Sequence, residues 1–422
     1  MSLRIVPSLP TPPATPSLHY SGGRLCAWAL GRELYSCFQP IYSFAHQRVL
    51  GCEGLVREAT AQGGRFPADL FQTSRVAQRV EVDSACVALH ANNFVALDVE
   101  DLWLFLNIDP VALCEYPKTV DAVGATLASC GIPPSSVVIE VLEQPIEDFA
   151  AVEAAVEHYR QLGCMIAIDD FGAGHSNFQR IWDLRPDMVK LDRGMLLAAT
   201  RDRRIRRSLP SIVTLLHETG CLVVAEGVET EDQALIVMDS NVDLVQGFLF
   251  ARPAEITRPM PVYDVQWENL RSRLQTDALS QTFAARKHLG TIITAFLNAT
   301  RDLATPMDFL SRASRMLLDP RIWRCFVLDD TGKQIGRNIN SAYARETGDA
   351  RLRPLAKAKG ASWYHRPYFR RAMESPGELY ISHPYLSVSD AAMCVTISMA
   401  VVVAGQTCVV CCDIADDDYA YL

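Results

Sequence analysis

Residues 137–171 read VVIEVLEQPIEDFAAVEAAVEHYRQLGCMIAIDDF. The stretch opens with the near-continuous apolar run Val137–Glu143 and closes with a second run, Met165–Phe171, and both runs carry acidic residues near their ends. Between them, Asp148–Leu162 repeats apolar residues at the spacing of an amphipathic helix. Two buried strands joined by such a helix are typical of a parallel sheet covered by helices on both faces.

The same unit of apolar run and amphipathic segment recurs over residues 34–253. The eight predicted strands are Phe38–Tyr42, Val49–Arg57, Leu102–Asp109, Val137–Glu143, Met165–Phe171, Met188–Asp192, Leu222–Glu229 and Leu244–Phe250. Eight strands of this kind within about 220 residues favour a closed (β/α)8-type, TIM-like barrel over an open sheet. The fold class is therefore predicted as α/β, with a barrel that precedes a smaller domain.

The length of 422 residues favours two domains. Residues 1–22 are rich in Pro, Ser and Thr, and we expect a flexible tail there. The barrel is expected over 23–258. Residues 259–300 are mostly free of Pro and Gly, which predicts a helical connector. Residues 301–422 read as an α+β domain, and its predicted strands are Cys325–Leu328, Glu378–Ser382, Ala392–Val403 and Thr407–Ile414.

Charge and composition limit the partners that the chain is expected to bind. The formal net charge of -9 argues against broad binding to a nucleic acid polymer or to an anionic membrane. No apolar stretch reaches the roughly 18 residues of a membrane span, so membrane insertion is not expected. The 13 cysteines include no CxxC pair and no Cys/His cluster at zinc spacing. With no signal-peptide pattern at the N-terminus, we expect a cytoplasmic protein.

The carboxyl ends of the predicted strands carry polar side chains, and in a parallel barrel these ends meet at one mouth. The residues concerned are Glu53, Asn107, Glu140, Asp169, Asp170, Lys190, Glu226 and Gln246. Five converging carboxylates would repel one another unless cations are bound between them. Ligands that bind through oxygen alone select hard ions, which favours Mg²⁺ or Mn²⁺ over zinc. Adjacent aspartates are suited to sharing two such ions, as in sites that cleave phosphoesters.

The sequence resembles the EAL phosphodiesterase family over about 230 residues. CEGLVRE, Cys52–Glu58, resembles the signature that names this family. Seven further motifs follow in the family's order around that signature: FQPIY (38–42), LNIDP (106–110), IEVLEQ (139–144), IDDFGAGHSN (168–177), VKLDR (189–193), AEGVET (225–230) and VQGFLFARP (245–253). The resemblance implies a barrel that hydrolyses cyclic di-GMP to linear pGpG with two Mg²⁺ or Mn²⁺ ions.

The resemblance also implies a role for individual residues. The implied metal ligands are Glu53, Asn107, Glu140, Asp169, Asp170 and Glu226. The groups implied to act in catalysis are Glu53, Lys190, Glu226 and Gln246, with Lys190 orienting the attacking water. The implied contacts to the dinucleotide are Gln39, Leu55, Arg57, Asp109 and Pro253. Glu143 is implied to anchor the loop after the strand that carries Asp169, and Glu229 to support the metal ligands from behind.

The sequence departs from the family pattern at four positions. Gly54 stands where the family usually has Ala, which removes a methyl group and is expected to lower rigidity. Asp109 stands where Ser is common and adds a negative charge that would weaken phosphate binding. Ala173 and His175 replace the usual Thr and Tyr in a loop that couples dimer contacts to metal affinity in this family. None of the four changes removes an implied metal ligand.

Residues 362–398 resemble PAS-like or Cache sensory domains, in which an antiparallel sheet cups a small ligand. The positions expected to line this pocket are Trp363, Tyr364, Arg366, Tyr368 and Tyr385. The ligand is not identified by the sequence, and an ordinary aromatic core is an equal alternative. For the barrel, the alternative to an active phosphodiesterase is a receptor that binds cyclic di-GMP without hydrolysing it. The family and the predicted connector also imply a homodimer.

Overall fold

A computed structural model describes residues 16–60, 63–72, 75–97, 101–109, 113, 118–142, 148–174, 178–255, 269–270, 272–273, 276, 289–343, 358–387 and 392–415. The chain divides into two compact units, Met1–Leu274 and Gln275–Leu422. Each unit is taken by itself below. Within the residues described, no helix combines the length and the apolar character that crossing a membrane requires.

The first unit contains an eleven-stranded sheet. Its strands are β1 (Leu18–Ser21), β2 (Arg24–Ala29), β3 (Arg32–Ser43), β4 (Arg48–Thr60), β5 (Gly63–Arg65), β6 (Trp103–Ile108), β7 (Val137–Leu142), β8 (Met165–Phe171), β9 (Met188–Leu191), β10 (Leu222–Ala225) and β11 (Leu244–Val245). The order is β1-β2-β3-β11-β10-β9-β8-β7-β6-β4-β5, and β3 also pairs with β4. That additional pairing closes the strands from β3 round to β4 into an eight-stranded barrel, which confirms the predicted fold.

One barrel strand runs against the others, which corrects the expectation of a wholly parallel sheet. β3 is antiparallel to both of its neighbours, with Gln39 paired to Glu53 on β4 and Tyr42 paired to Val245 on β11. Only residues 44–47 separate β3 from β4, and Gln47 turns the chain with a φ of 52°. A turn this short joins antiparallel strands, because a parallel pair needs a crossover of a dozen residues or so.

The predicted flexible tail over 1–22 is wrong at its C-terminal end. Leu18–Ser21 forms β1, which pairs with β2 as an antiparallel hairpin. Gly22 and Gly23 make the turn with φ values of 58° and 84°, a region that glycine adopts at little cost. Residues 1–15 lie outside the described part of the chain.

Helices cover the outside of the barrel. They are α1 (Ala68–Phe71), α2 (Val76–Val95), α3 (Lys118–Cys130), α4 (Phe149–Leu162), α5 (Phe178–Leu184), α6 (Arg193–Arg201), α7 (Arg203–Glu218) and α8 (Glu231–Asp239). Alternation along the strands builds two apolar layers: Leu104 and Leu106 face the helices, whereas Phe105 between them packs inside the barrel with Val138 and Val224. The barrel is therefore filled by apolar side chains below its mouth.

The second unit contains a six-stranded antiparallel sheet with the order β13-β12-β17-β16-β14, and β15 also pairs with β16. Its strands are β12 (Ile322–Asp329), β13 (Gln334–Asn340), β14 (Tyr380–Ile381), β15 (Tyr385–Ser387), β16 (Ala392–Val403) and β17 (Gln406–Ala415). Two helices, α9 (Pro306–Ala313) and α10 (Pro367–Glu374), accompany the sheet. The sequence analysis missed β13, whose sequence QIGRNIN is rich in polar residues, and β15, which has only three residues.

The predicted connector over 259–300 is only partly described, and its described end is not a free spacer. Residues 289–299 are helical. Leu289, Ile292 and Phe296 are buried in one cluster with Phe309 of α9 and with the sheet. This helix therefore belongs to the core of the second unit.

Candidate active site

Lys190 lies at the centre of the barrel mouth, on β9, and its side chain is fully buried. Its Nζ lies 2.6 Å from Glu140 Oε1, 3.0 Å from Asp169 Oδ1 and 2.5 Å from Glu226 Oε1. Glu53 Oε2 lies farther away, at 3.7 Å. A buried ammonium group requires such pairing, since desolvation alone would destabilise the charge. One cation thus meets four carboxylates that come from four different strand ends.

Two side-chain amides hold Glu53 on β4. Asn107 Nδ2 donates a hydrogen bond to Glu53 Oε1 at 2.7 Å, and Gln246 Nε2 donates to Glu53 Oε2 at 2.7 Å. Gln246 Nε2 also lies 3.2 Å from Gln39 Oε1, and Gln39 Nε2 donates to the carbonyl oxygen of Ala251 at 3.1 Å. The antiparallel register of β3 brings Gln39 into this network, because it stands directly opposite Glu53.

Asp169 and Asp170 both reach the mouth although they are adjacent on one strand. Successive side chains of a regular strand point to opposite faces. Here the register of β8 against β9 shifts between Ile168 and Phe171, and Asp170 has a φ of 58°. The carboxylates of Asp169, Asp170 and Glu226 can consequently place oxygens within 4.8 Å of one another. Backbone in this region costs energy for a residue other than glycine, and such strain concentrates at functional sites.

Carboxyl groups at the mouth are crowded around the one ammonium group of Lys190. Burial raises the pKa of Glu140 well above its usual range and also raises that of Glu226, and in both cases the Lys190 charge opposes the rise. Burial and the neighbouring Asp169 charge raise the pKa of Asp170 to about 6. The pKa of Lys190 is raised well above normal because its carboxylate partners outweigh the cost of burial. Burial and mutual repulsion thus disfavour the ionised form of these carboxylates, and a cation bound between them would favour it.

The donor set fits hard divalent cations. All candidate ligand atoms are carboxylate or amide oxygens, which Mg²⁺ and Mn²⁺ prefer. Glu140 Oε2 is buried without a hydrogen-bond partner among the described residues. A buried oxygen without a partner is costly in a metal-free site and is satisfied when a cation binds. Of the six residues implied as ligands, the structure brings all six to the mouth.

The residues implied to contact substrate lie around the same mouth on β3, β4 and the segment after β11. Leu55, Arg57 and Pro253 are all half-buried. Arg57 Nη1 donates to the carbonyl oxygen of Val56 at 2.8 Å, and no carboxylate pairs with it within the described ranges. Its guanidinium therefore keeps donors available for an anionic group.

Asp109 is paired rather than isolated, which changes the interpretation of this departure from the family pattern. Its Oδ2 lies 3.3 Å from Arg79 Nε on α2. Its backbone N–H donates to Asp83 Oδ2 at 2.9 Å, and burial raises the pKa of Asp83 to about 8. One cation thus balances the Asp109 carboxylate, and Asp83 carries a proton at neutral pH. The sequence analysis did not identify Arg79, which lies near the start of α2 and 30 residues before Asp109.

The absence of a side chain at Gly54 is required by the neighbouring His90 ring. A Cβ on Gly54 would lie 2.7 Å from His90 Cγ and 3.0 Å from His90 Cδ2. His90, on α2, is 4% exposed and shares a 2.8 Å hydrogen bond with Ser36 Oγ. Burial lowers the pKa of His90 to about 3, so the imidazole is neutral. The ring of His90 fills the space that an alanine methyl would occupy.

Glu229 does not contact the metal-ligand candidates in the structure. Its Oε1 pairs with Arg193 Nη2 at 3.0 Å, and its backbone N–H donates to Gln233 Oε1 at the start of α8. The supporting role implied for Glu229 at the metal site stays a prediction. Glu143 and His175 lie outside the described residues.

A second group of side chains of the kinds that bind metals lies on β1, β2 and β3. The spacing of these residues along the sequence did not reveal the group. His19, Cys26 and Glu33 can place ligand atoms within 4.8 Å of one another. His19 Nε2 and Glu33 Oε1 already share a 2.8 Å hydrogen bond, and burial raises the pKa of the Cys26 thiol. Metals bind the thiolate, and a raised thiol pKa disfavours it. These contacts therefore favour a hydrogen-bonded cluster over a metal-binding site.

In the second unit, four of the five predicted pocket residues line one small cleft. They are Trp363, Arg366, Tyr368 and Tyr385. Tyr364 is 62% exposed and does not line it, so that prediction is wrong. The backbone turns between Trp363 and α10, and adjacent side chains there point in different directions.

Comparisons with known proteins give a consistent result. The sequence pattern of a family described as EAL domain matches residues 28–253. The cyclic di-GMP phosphodiesterase RocR of Pseudomonas aeruginosa is 34% identical over 228 residues, which are 52% of this chain and 57% of RocR. The chain spans between 32% and 57% of the length of the curated relatives it matches first.

Two solved structures resemble the chain. The Bacillus subtilis YkuI protein, with an EAL domain and in complex with substrate c-di-GMP and calcium, superposes with a TM-score of 0.77 at 20% identity, covering 90% of this chain and 96% of that one. At this identity the likeness is one of fold, and it extends over both units. Klebsiella pneumoniae BlrP1, in a manganese and cy-diGMP complex at pH 6, has a TM-score of 0.50 at 28% identity and covers 57% of this chain and 59% of that one.

Proposed function

Because this chain belongs to the EAL-domain family, we propose that its barrel is a metal-dependent phosphodiesterase that hydrolyses cyclic di-GMP to linear pGpG. The observation that carries the proposal is the buried Lys190 ammonium among four carboxylates, with Glu53 held by two amides. The name of RocR as a cyclic di-GMP phosphodiesterase, and the manganese complex of BlrP1, support the substrate and the metal dependence.

Two ions, Mg²⁺ or Mn²⁺, would be held by the oxygen ligands at the mouth. The first would take Glu53, Asn107, Glu140 and Asp169, and the second Asp169, Asp170 and Glu226. Such a pair of ions supplies a hydroxide-like nucleophile at neutral pH and neutralises the charge that develops on the phosphate. In the overall reaction, water adds at phosphorus, the bond to the 3′ oxygen breaks, and that oxygen leaves with a proton.

The protein's own side chains position the reactants. Lys190 donates hydrogen bonds toward the attacking water or the phosphate oxygens, and its four partners fix its ammonium in place. Gln246 orients Glu53 and the water beside it. Arg57 and Gln39 contact the dinucleotide from β4 and β3, where the Arg57 guanidinium forms charge-assisted hydrogen bonds with phosphate. Leu55 and Pro253 supply apolar surface to the bases.

A direct assay tests the proposal. Purified protein is incubated with cyclic di-GMP and MnCl₂ or MgCl₂, and the products are separated by chromatography, with EDTA as the metal-free control. We expect metal-dependent formation of linear pGpG. Glu53→Gln should lower turnover by more than the 10- to 100-fold that loss of an outer support residue typically costs. Glu218→Gln, an exposed change at the end of α7, should retain full turnover.

Hydrolysis that persists in Glu53→Gln would contradict the metal assignment. Tight binding of cyclic di-GMP without product would identify a receptor instead. The Arg79–Asp109 pair lowers the charge cost of phosphate binding for an enzyme and for a receptor alike, so the formation of product is what separates the two. Homodimerisation, regulation by the second unit and a cytoplasmic location stay predictions, and sedimentation velocity at micromolar concentration measures the first of them.

A further inference from the structure

The strands β3 and β4 continue past the barrel mouth as a ribbon, because β4 pairs with its barrel neighbour β6 only up to Glu53. Gln39 and Glu53 stand opposite each other at the mouth, and Tyr35 and Arg57 stand opposite each other four residues farther along each strand. Side chains alternate with a period of two, so these four lie on one face of the ribbon. The second pair lies about 13 Å from the first. This face therefore leads outward from the metal-ligand candidates.

Arg24 reaches the same face from β2, which pairs with β3 on the side away from β4. It is the first residue of β2, and its Cζ lies 4.7 Å from the centre of the Tyr35 ring, a cation–π contact. Tyr35 is 6% exposed, and only a glycine at position 64 on β5 leaves room for its hydroxyl group. The ring that supports Arg24 is therefore fixed, with Arg57 on its other side.

Arg24 and Arg57 differ in how their charges are balanced. Arg24 Nε lies 3.1 Å from Glu255 Oε2, whereas no carboxylate pairs with Arg57 within the part of the chain described. Glu255 is held close to β3, because Ala254 and Phe38 exchange backbone hydrogen bonds of 2.7 and 3.1 Å. The side chains of Arg24 and Glu255 are each 44% exposed, so a ligand can reach them. Among the described residues, no acceptor is bonded to the two Nη groups of Arg24.

We infer that Arg24 recognises a guanine base of the dinucleotide by donating hydrogen bonds from its Nη groups to O6 and N7, an inference that rests on the proposed function. Guanine presents these two acceptors side by side, and a bidentate arginine is their commonest specific partner. Adenine presents a donor in place of O6, so the paired contact would be lost. A phosphate fits Arg24 less well than it fits Arg57, because the Glu255 carboxylate would repel it. Tyr35 and Glu255 hold the guanidinium in place before the base binds.

The order of groups along the ribbon matches the shape of a cyclic dinucleotide. Under the proposed function the scissile phosphate lies at the metal ligands, and the bases project outward from the ring that the two phosphates close. Arg57 and the Arg24 guanidinium lie together in the direction in which the ribbon leads away from those ligands. Arg57 is thus placed for the ring phosphate, and Arg24 for a base beyond it.

Calorimetry on the full chain in CaCl₂ tests the inference with three ligands, each checked by chromatography for integrity after the titration. They are cyclic di-GMP, cyclic di-IMP, which keeps O6 and N7 but lacks the 2-amino group, and cyclic di-AMP. Arg24→Gln should weaken binding of the first two about tenfold or more and leave cyclic di-AMP within about twofold of its original affinity. Arg48→Gln, an exposed change at the opposite end of β4, should bind all three like the original protein.

Arg24→Lys separates recognition of a base from attraction to a phosphate. Lysine keeps the charge but lacks the planar fork, so the preference for cyclic di-GMP over cyclic di-AMP should stay as low as in Arg24→Gln. An equal loss for all three ligands in Arg24→Gln, an unchanged preference, or a preference restored by lysine would overturn the inference. Circular dichroism checks the fold of each variant. If Arg24→Gln does not fold, the preference of Arg24→Lys decides alone.

Hydrolysis, measured separately in MnCl₂, distinguishes this inference from the proposed function. Selective binding of cyclic di-GMP without product would refute the enzyme and leave the role of Arg24 supported if Arg24→Gln loses that selectivity. Product formation with an unchanged base preference in Arg24→Gln would refute the role of Arg24 alone. Failure of the original protein to bind any of the three ligands would refute both.

Discussion

Two unusual residues at the barrel mouth, Gly54 and Asp109, each have a partner that accounts for them. The ring of His90 occupies the space beside Gly54, and Arg79 neutralises Asp109. Neither partner stands next to these residues in the sequence. A departure from a family pattern therefore cannot be judged by the residue alone, because its cost depends on the side chain that faces it.

Gly54→Ala should destabilise the barrel by about 1–3 kcal/mol, since the new methyl overlaps the buried His90 ring. In a His90→Ala background the same substitution should become neutral or stabilising, because the space is then open. Urea unfolding of the four proteins of this cycle measures the coupling. Gly290→Ala is the matched control: a Cβ there meets nothing within 4 Å, so it should stabilise its helix by about 0.5–1 kcal/mol. Additive effects in the cycle would contradict the packing argument.

Two elements shape the site. One is the helix α2, and the other is the strand β8, whose geometry is irregular at Asp170. α2 presents Arg79, Asp83 and His90 at helical spacing toward the mouth, and this one helix carries both compensating contacts. β8 breaks its alternation at Asp170, so that two successive carboxylates reach the same side. β8 thus places the carboxylates of Asp169 and Asp170 together, and Arg79 on α2 offsets the charge of Asp109.

Asp170→Asn should separate the backbone role of this residue from its charge, because Asn also tolerates a positive φ. Without metal, the variant should be more stable than the original protein by about 1 kcal/mol, since one of the crowded charges is removed. The rise in melting temperature on adding MnCl₂ should shrink. Asp239→Asn, an exposed change at the end of α8, should leave that rise unaltered. An undiminished rise in Asp170→Asn would exclude the residue as a ligand.

At the scale of the whole molecule, each of the two units has a hydrophobic core of its own. The helix over residues 289–299 contributes Phe296 to the second core, against Phe309 with ring centroids 5.6 Å apart. The chain that follows the barrel is therefore structural at its described end, and its apolar face is already covered by its own unit.

Phe296→Ala should destabilise the second unit by about 3–5 kcal/mol, because the side chain is fully buried. Leu297→Ala, the neighbouring residue with 37% exposure, should change stability by no more than about 0.5 kcal/mol. Calorimetric unfolding of both variants measures the difference. Equal, small effects would mean that this helix is a spacer after all.

The sequence by itself predicted the eight barrel strands and the polar residues at their ends. Apolar runs and the residues that terminate them are local features, and the geometry of a closed barrel brings strand ends together wherever the strands lie in the chain. The metal-ligand candidates could be predicted from the sequence for the same reason. In the second unit the long strands β16 and β17 were predicted, whereas the polar strand β13 and the three-residue strand β15 were not.

Only the tertiary structure decided the direction of β3, the positive φ of Asp170 and the partners of Gly54 and Asp109. A strand's direction depends on its connection and its neighbours, which periodicity does not record. The conformation of Asp170 is unfavourable locally and persists because the surrounding barrel fixes it. His90 and Arg79 contact Gly54 and Asp109 from α2. Lys190 contacts carboxylates from four strand ends. Such contacts are long-range in sequence, so they exist only once the chain has folded.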